Sequence, residues 1–186
     1  KENKKILKKL LIAKEKWKKE VLSKLPEKDK RPFLIGHPSL NTTQIPARDG
    51  IADGEIKRSN RHPNCTFFTN WINIDDKIIW KAEVPVAGNF EVIVYYSCNE
   101  DAVGSEFEIS FNKSRLKGSI LEAHNPKEYG AENDRSLRTE SYVKDFKPLK
   151  IGEIKLEKGK GNLIVKGLKK TGKSLMELRL ILFKRI

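Results

Sequence analysis

At 186 residues, 38% hydrophobic and 34% charged, the chain is long enough for one domain with its own core and carries a densely charged surface. No apolar run approaches the roughly 20 residues needed to cross a bilayer, so no membrane span is expected. The formal charge of +13 is uneven: residues 1–31 hold 13 Lys/Arg against 5 Asp/Glu, and the rest of the chain 25 against 20. Mixed charge of that kind marks a solvated face, not a nucleic-acid groove.

Ile6, Leu10, Ala13, Trp17 and Val21 recur at spacings of three and four, with Leu7 and Leu11 widening the stripe. This predicts a basic amphipathic helix over residues 4–25, halted by Pro26, which lacks an amide donor and clashes with the preceding turn. Its polar face is almost all Lys, without the Arg and Asn that read base edges, so the helix is expected to dock on protein. Residues 26–46, punctuated by Pro26, Pro32, Pro38 and Pro46, read as an extended connector to a main domain at 47–186.

From there the period becomes two. Ile78, Trp80, Ala82 and Val84 alternate with Lys77, Ile79, Lys81 and Glu83, and Phe90, Val92, Val94 and Tyr96 share one face of the next strand. Phe107, Ile109 and Phe111 pair with Leu116, Gly118 and Ile120 across a turn at Asn112-Lys-Ser. Ile154 and Leu156 lead through Lys158-Gly-Lys-Gly161, read as a hairpin turn, to Leu163 and Val165; Met176, Leu178, Leu180 and Leu182 close the chain. Short strands between Gly/Asn turns, with no helices interleaved, predict a mainly β fold: an antiparallel β-sandwich preceded by one N-terminal helix.

Residues 122–146 form a loop well beyond the usual length, and loops longer than about 12–15 residues are usually functional or disordered. Sugar sites place flat rings against a pyranose, with carboxylates, amides and arginines meeting its hydroxyls. On that chemistry Trp71, Tyr129 and Tyr142 are the stacking candidates, and Glu132, Asp134 and Arg135 the polar contacts. Trp80, inside a strand, is core. An acidic or sulfated glycan is the expected ligand, if the loop binds one and does not merely pack.

Catalytic signatures are missing. There is no GxSxG, HExxH or P-loop, and His37, His62 and His124 stand far apart. Asp75-Asp76, Glu100-Asp101, Glu122, Glu132 and Asp134 leave a glycosidase pair open, since sequence does not give carboxylate separations. Cys65 and Cys98 are too few for a structural zinc site and leave a disulfide or two thiols open. No cofactor is expected; calcium on loop acids remains conceivable, although no EF-hand spacing is present.

Several loop runs resemble the domain that follows the catalytic part of bacterial sulfatases of the arylsulfatase and N-acetylgalactosamine-6-sulfatase type. They are Thr43-Gln-Ile-Pro-Ala-Arg-Asp-Gly50, Arg61-His-Pro-Asn-Cys65, Phe68-Thr-Asn-Trp71, Tyr95-Tyr-Ser-Cys98, Gly130-Ala-Glu132 and Ser141-Tyr-Val-Lys-Asp-Phe146. The resemblance spans roughly residues 30–186. It implies a galactose-binding-like jelly roll and a parent that hydrolyses sulfate esters of glycans, in the periplasm or secreted. Neither Cys65 nor Cys98 sits in the C/S-x-P-x-R motif that such enzymes convert to formylglycine, so no catalytic residue is assigned to this chain. The reading is thus a non-catalytic accessory domain, structural or glycan-contacting, whose helix docks on the catalytic domain of the same parent. An independent carbohydrate-binding module is the alternative, and a glycosidase a more distant one.

Overall fold

A computed structural model describes residues 3–25, 31–62 and 64–186 and divides the chain into two units, Lys1–Arg31 and Pro32–Ile186. In the first, α1 runs Lys4–Val21 and tightens into a 3-10 turn at Leu22–Lys24. Lys18 and Lys19 sit in its last turn, where cations offset the partial negative charge of unpaired carbonyls. None of its residues is buried. Pro26, expected to end the helix, lies outside the described residues, and so does Pro63.

The second unit is built from twelve strands: β1 Phe33–Leu34, β2 Thr42–Pro46, β3 Ile51–Asp53, β4 Lys57–Arg58, β5 Phe68–Thr69, β6 Lys77–Val84, β7 Gly88–Ser97, β8 Glu106–Phe111, β9 Ser114–Ser119, β10 Lys147–Leu156, β11 Gly159–Lys169 and β12 Glu177–Arg185. They form two six-stranded sheets. One runs β1-β6-β11-β8-β9, with β3 also on β6; the other runs β10-β7-β12-β5-β4, with β2 also on β12. Every pairing is antiparallel except β1 with β6.

The predicted alternation places the core. Trp80, Phe107, Ile109, Phe111, Leu163 and Val165 from the first sheet meet Phe90, Val92, Val94, Tyr96, Leu178 and Phe183 from the second in one buried cluster. Burying each such side chain contributes about 1.5–3 kcal/mol relative to exposure. Phe90 and Phe183 touch edge to face with centroids 6.4 Å apart, a geometry that suits the ring quadrupoles.

Three expectations change. The stretch read as connector supplies β1 and β2: Phe33 pairs Ala82, and Thr42–Pro46 pairs Lys184 to Leu180. Pro32 precedes β1 and Pro46 closes β2, positions where a missing amide is tolerated. The run through Gly159-Lys-Gly161 is no hairpin turn, because β10 belongs to the second sheet and β11 to the first. The link carries the chain across the sandwich. Finally, Leu180 and Leu182 do not share the core face of Met176 and Leu178. The register of β12 on β7 slips between Leu178 and Leu180, and beyond this bulge Ile181 and Phe183 point inward.

Candidate functional site

A row of outward-facing side chains crosses four adjacent strands at one end of the second sheet. Phe68, Tyr96 and Leu178 are buried in the core, so their neighbours Thr69, Ser97 and Glu177 point to the opposite face. Glu177 is the register partner of Ser97, and Lys57 that of Thr69. The order across the sheet is therefore Ser97, Glu177, Thr69, Lys57.

A cavity of about 410 Å³ opens beside this row. Ile72 and Met176 supply apolar surface to it, while Asn70, Asn99, Asn125, Ser174 and Lys57 supply amides, a hydroxyl and an ammonium. Asn70 holds a left-handed backbone, φ 59°, and donates Nδ2 to the Glu55 carbonyl at 2.7 Å. An amide side chain tolerates that conformation better than most.

Among the described residues Glu177 is the only carboxylate lining this cavity, and both its oxygens accept hydrogen bonds. Oε1 accepts from Thr69 Oγ1 at 3.1 Å; Oε2 accepts from Ser97 Oγ at 3.0 Å and from Lys144 Nζ at 2.6 Å. Lys144 also donates to Asn125 Oδ1 at 2.9 Å, and Asn125 Nδ2 to Asn99 Oδ1 at 2.6 Å. Among the described residues this leaves Asn99 Nδ2, Asn70 Oδ1, Ser174 Oγ and Lys57 Nζ without protein partners.

The 122–146 excursion is sewn to the sandwich at its base. His124 and Cys98 exchange backbone hydrogen bonds of 2.8 and 3.1 Å, His124 Nε2 contacts the Asp145 carbonyl at 2.8 Å, and Ser141 Oγ meets Ser59 Oγ at 3.0 Å. Burial pushes the Cys98 thiol's pKa above its usual value. Neither cysteine is bonded; Cys65 is partly exposed and Cys98 buried. Among the described residues no group of three or more His, Cys, Asp or Glu is placed to hold a metal ion.

The residues predicted from sequence do not converge on the cavity. Trp71 is fully buried, so it packs in the core and presents no ring to a ligand. The reason is local: Asn70 bends the chain outward, and the next side chain turns under the sheet end, where the Trp71 carbonyl accepts from the Leu175 amide at 2.9 Å. Tyr129 is half exposed and donates to Asp145 Oδ1 at 3.2 Å, a bond that raises the pKa of its phenol. Tyr142 donates to Asp134 Oδ2 at 3.0 Å and lies under the Arg138 guanidinium, 4.2 Å from its ring centroid, while Arg138 closes the set on Asp134 at 3.5 Å. Glu132 accepts from the Gly130 amide at 2.9 Å, and Arg135 is exposed. These contacts stay within the loop.

Of the loop, only Asn125 reaches the cavity lining. The others missed from sequence, Lys57, Asn70, Asn99 and Ser174, sit at strand ends scattered over the chain. The one available signal was the amide and hydroxyl richness of Thr69-Asn-Trp-Ile-Asn73 and Ser97-Cys-Asn99.

No family model matches the chain, and no curated protein matches it. Solved structures do. The GH26-CBM35 β-(1,4)-mannanase of Podospora anserina superposes with a TM-score of 0.52 at 11% identity, over 78% of this chain and 28% of its own. The C-terminal CBM6 of LamC, a laminarinase from Zobellia galactanivorans, gives 0.52 at 12% over 78% of this chain and 100% of its own. The fold is a β-sandwich of the kind found in this module. The Cry4Aa toxin of Bacillus thuringiensis shares it, with a TM-score of 0.54 at 17% identity over 78% of this chain and 23% of its own. The chain thus spans about a quarter of the mannanase and of the toxin, and likeness at these identities defines the fold alone. None of the three is a sulfatase.

Proposed function

We propose that this chain is a non-catalytic carbohydrate-binding module whose ligand enters the cavity at the end of the second sheet. The observation that carries the reading is the lining itself: Ile72 and Met176 beside unpartnered amide, hydroxyl and ammonium groups. That combination suits a sugar, which offers an apolar ring face edged by hydroxyls. The resemblance of the fold to modules named CBM6 and CBM35 supports it.

The test is a glycan array probed with the whole chain at low salt, repeated with Asn99→Ala and Ser174→Ala. Binding to one glycan class that weakens about tenfold in either variant is expected, since each removes a hydrogen bond to the ligand. An array silent throughout, or binding indifferent to both substitutions, leaves the cavity without this function. The same protein is expected to release no product from aryl sulfates or aryl glycosides.

A sulfatase parent is the second reading, carried by the loop runs Pro46-Ala-Arg-Asp-Gly50 and Ser141-Tyr-Val-Lys-Asp-Phe146. On it, the module is exported with a sulfate-ester hydrolase and contacts that enzyme's catalytic domain. A C/S-x-P-x-R motif encoded upstream in the same gene would bear it out; an intact reading frame without one would remove it.

A further inference from the structure

We propose that the ligand of this cavity is an anionic glycan, one bearing a carboxylate or a sulfate ester, and that Lys57 reads the charge; the proposal rests on the carbohydrate-binding reading above. The cavity has two cations within reach and one carboxylate, and the hydrogen bonds separate their tasks. Lys144 is spent on Glu177 and Asn125, at 2.6 and 2.9 Å, and its side chain is only 8% exposed. Glu177 is spent in turn on Lys144, Ser97 and Thr69. The inner pair is therefore neutral as a unit, with most of the carboxylate's acceptor sites already taken.

Lys57 is different. It lines the same cavity from the edge strand β4 and faces solvent, and among the described residues no carboxylate pairs with it. Asp76 accepts from the Glu55 amide at 2.9 Å, Asp101 from the Lys173 amide at 3.0 Å, and Glu122 pairs with Lys147, while Glu55, two residues before Lys57 in the chain, is exposed and forms no ion pair with it. What remains is a cavity with one unneutralised positive charge beside neutral amides and a hydroxyl. A site of that composition discriminates by charge at Lys57 and by hydroxyl pattern at Asn70, Asn99 and Ser174. A neutral sugar would leave the ammonium without a partner, whereas a carboxylate or sulfate gains a charge-assisted hydrogen bond.

The experiment titrates the whole chain with three oligosaccharides of equal length: an oligogalacturonate, a sulfated galactan oligosaccharide and a neutral galactan oligosaccharide, each at about 20 and about 500 mM salt, where screening lengths differ severalfold. At low salt one or both anionic sugars are expected to bind about tenfold tighter than the neutral one, with the advantage shrinking at high salt. The carboxylate and sulfate arms identify which substituent is preferred. Lys57→Gln is expected to bring the anionic sugars' affinity down to that of the neutral one at both salt concentrations. Equal binding of the neutral sugar, or a preference that survives Lys57→Gln, overturns the charge reading alone. Silence from all three sugars overturns it together with the carbohydrate-binding reading.

Discussion

Lys144 Nζ lies 2.6 Å from Glu177 Oε2, and this contact joins the far end of a long excursion to the first residue of the last strand. Both side chains are mostly covered, at 8% and 24% exposure. Ser97 and Thr69 complete the carboxylate's hydrogen bonds, which is what makes burying the pair tolerable.

Lys144→Met is therefore expected to destabilise the sandwich by about 2–3 kcal/mol, because it strands a mostly covered carboxylate while keeping the apolar stem. For a domain of this size that lowers Tm by about 5–10 °C. Calorimetry of the variant checks it. The double variant Lys144→Met with Glu177→Gln is expected to recover much of the loss, since no unpaired charge then remains.

Trp71 is expected to behave as core. Trp71→Ala removes a fully buried indole and should cost about 3–5 kcal/mol. Its Nε1 has no hydrogen-bond partner, so Trp71→Phe sheds an unsatisfied donor and should cost clearly less than the alanine change. Denaturant unfolding distinguishes the two. Below its melting point, Trp71→Phe should bind any glycan as the parent chain does. A selective loss of binding without loss of stability would restore Trp71 as a ligand contact.

Much of the fold was legible because strand burial has a period of two and little interrupts it. Ile78 to Val84, Phe90 to Tyr96 and Phe107 to Phe111 all face as their alternation predicts. What alternation cannot show is where a register slips or which sheet a strand joins. The slip between Leu178 and Leu180 inverts the second half of β12, and nothing near Lys158 announces that the chain changes sheets there. The site was less legible than the fold. Loop length and aromatic content drew attention to residues 129–142, whose polar groups satisfy one another, as Tyr142, Asp134 and Arg138 do. The cavity is assembled from strand ends at 57, 69, 97 and 177, and only pairing brings those together.

Gly36 tests whether the proline-rich segment before residue 47 belongs to the sandwich. Its φ is +74°, and a Cβ there would lie 2.3 Å from Phe90 Cζ, inside the core. Its carbonyl accepts from Arg185 Nη2 at 2.6 Å. Gly36→Ala is thus expected to cost about 2–4 kcal/mol, combining backbone strain with overpacking. A thermal melt indistinguishable from the parent chain would show the segment to be the passive connector that its prolines suggest.

The two thiols offer a last check, on the seam between the excursion and the sheet. Thiolate is the form that attacks a disulfide reagent, so a thiol with a raised pKa holds less of it at any given pH. Burial raises Cys98, and its sulfur lies 3.7 Å from the Glu122 carbonyl, behind the backbone bridge to His124. Cys65 is only partly covered. With an aromatic disulfide reagent at pH 8, one thiol per chain is expected to react quickly, and Cys65→Ser should remove that phase. The second phase should be slower by about 100-fold or more, because it waits on opening of the seam against a free energy of several kcal/mol. Lys144→Met loosens the same seam and should speed the slow phase without touching the fast one. Two thiols reacting at equal rates in the folded protein would mean that the excursion does not cover Cys98.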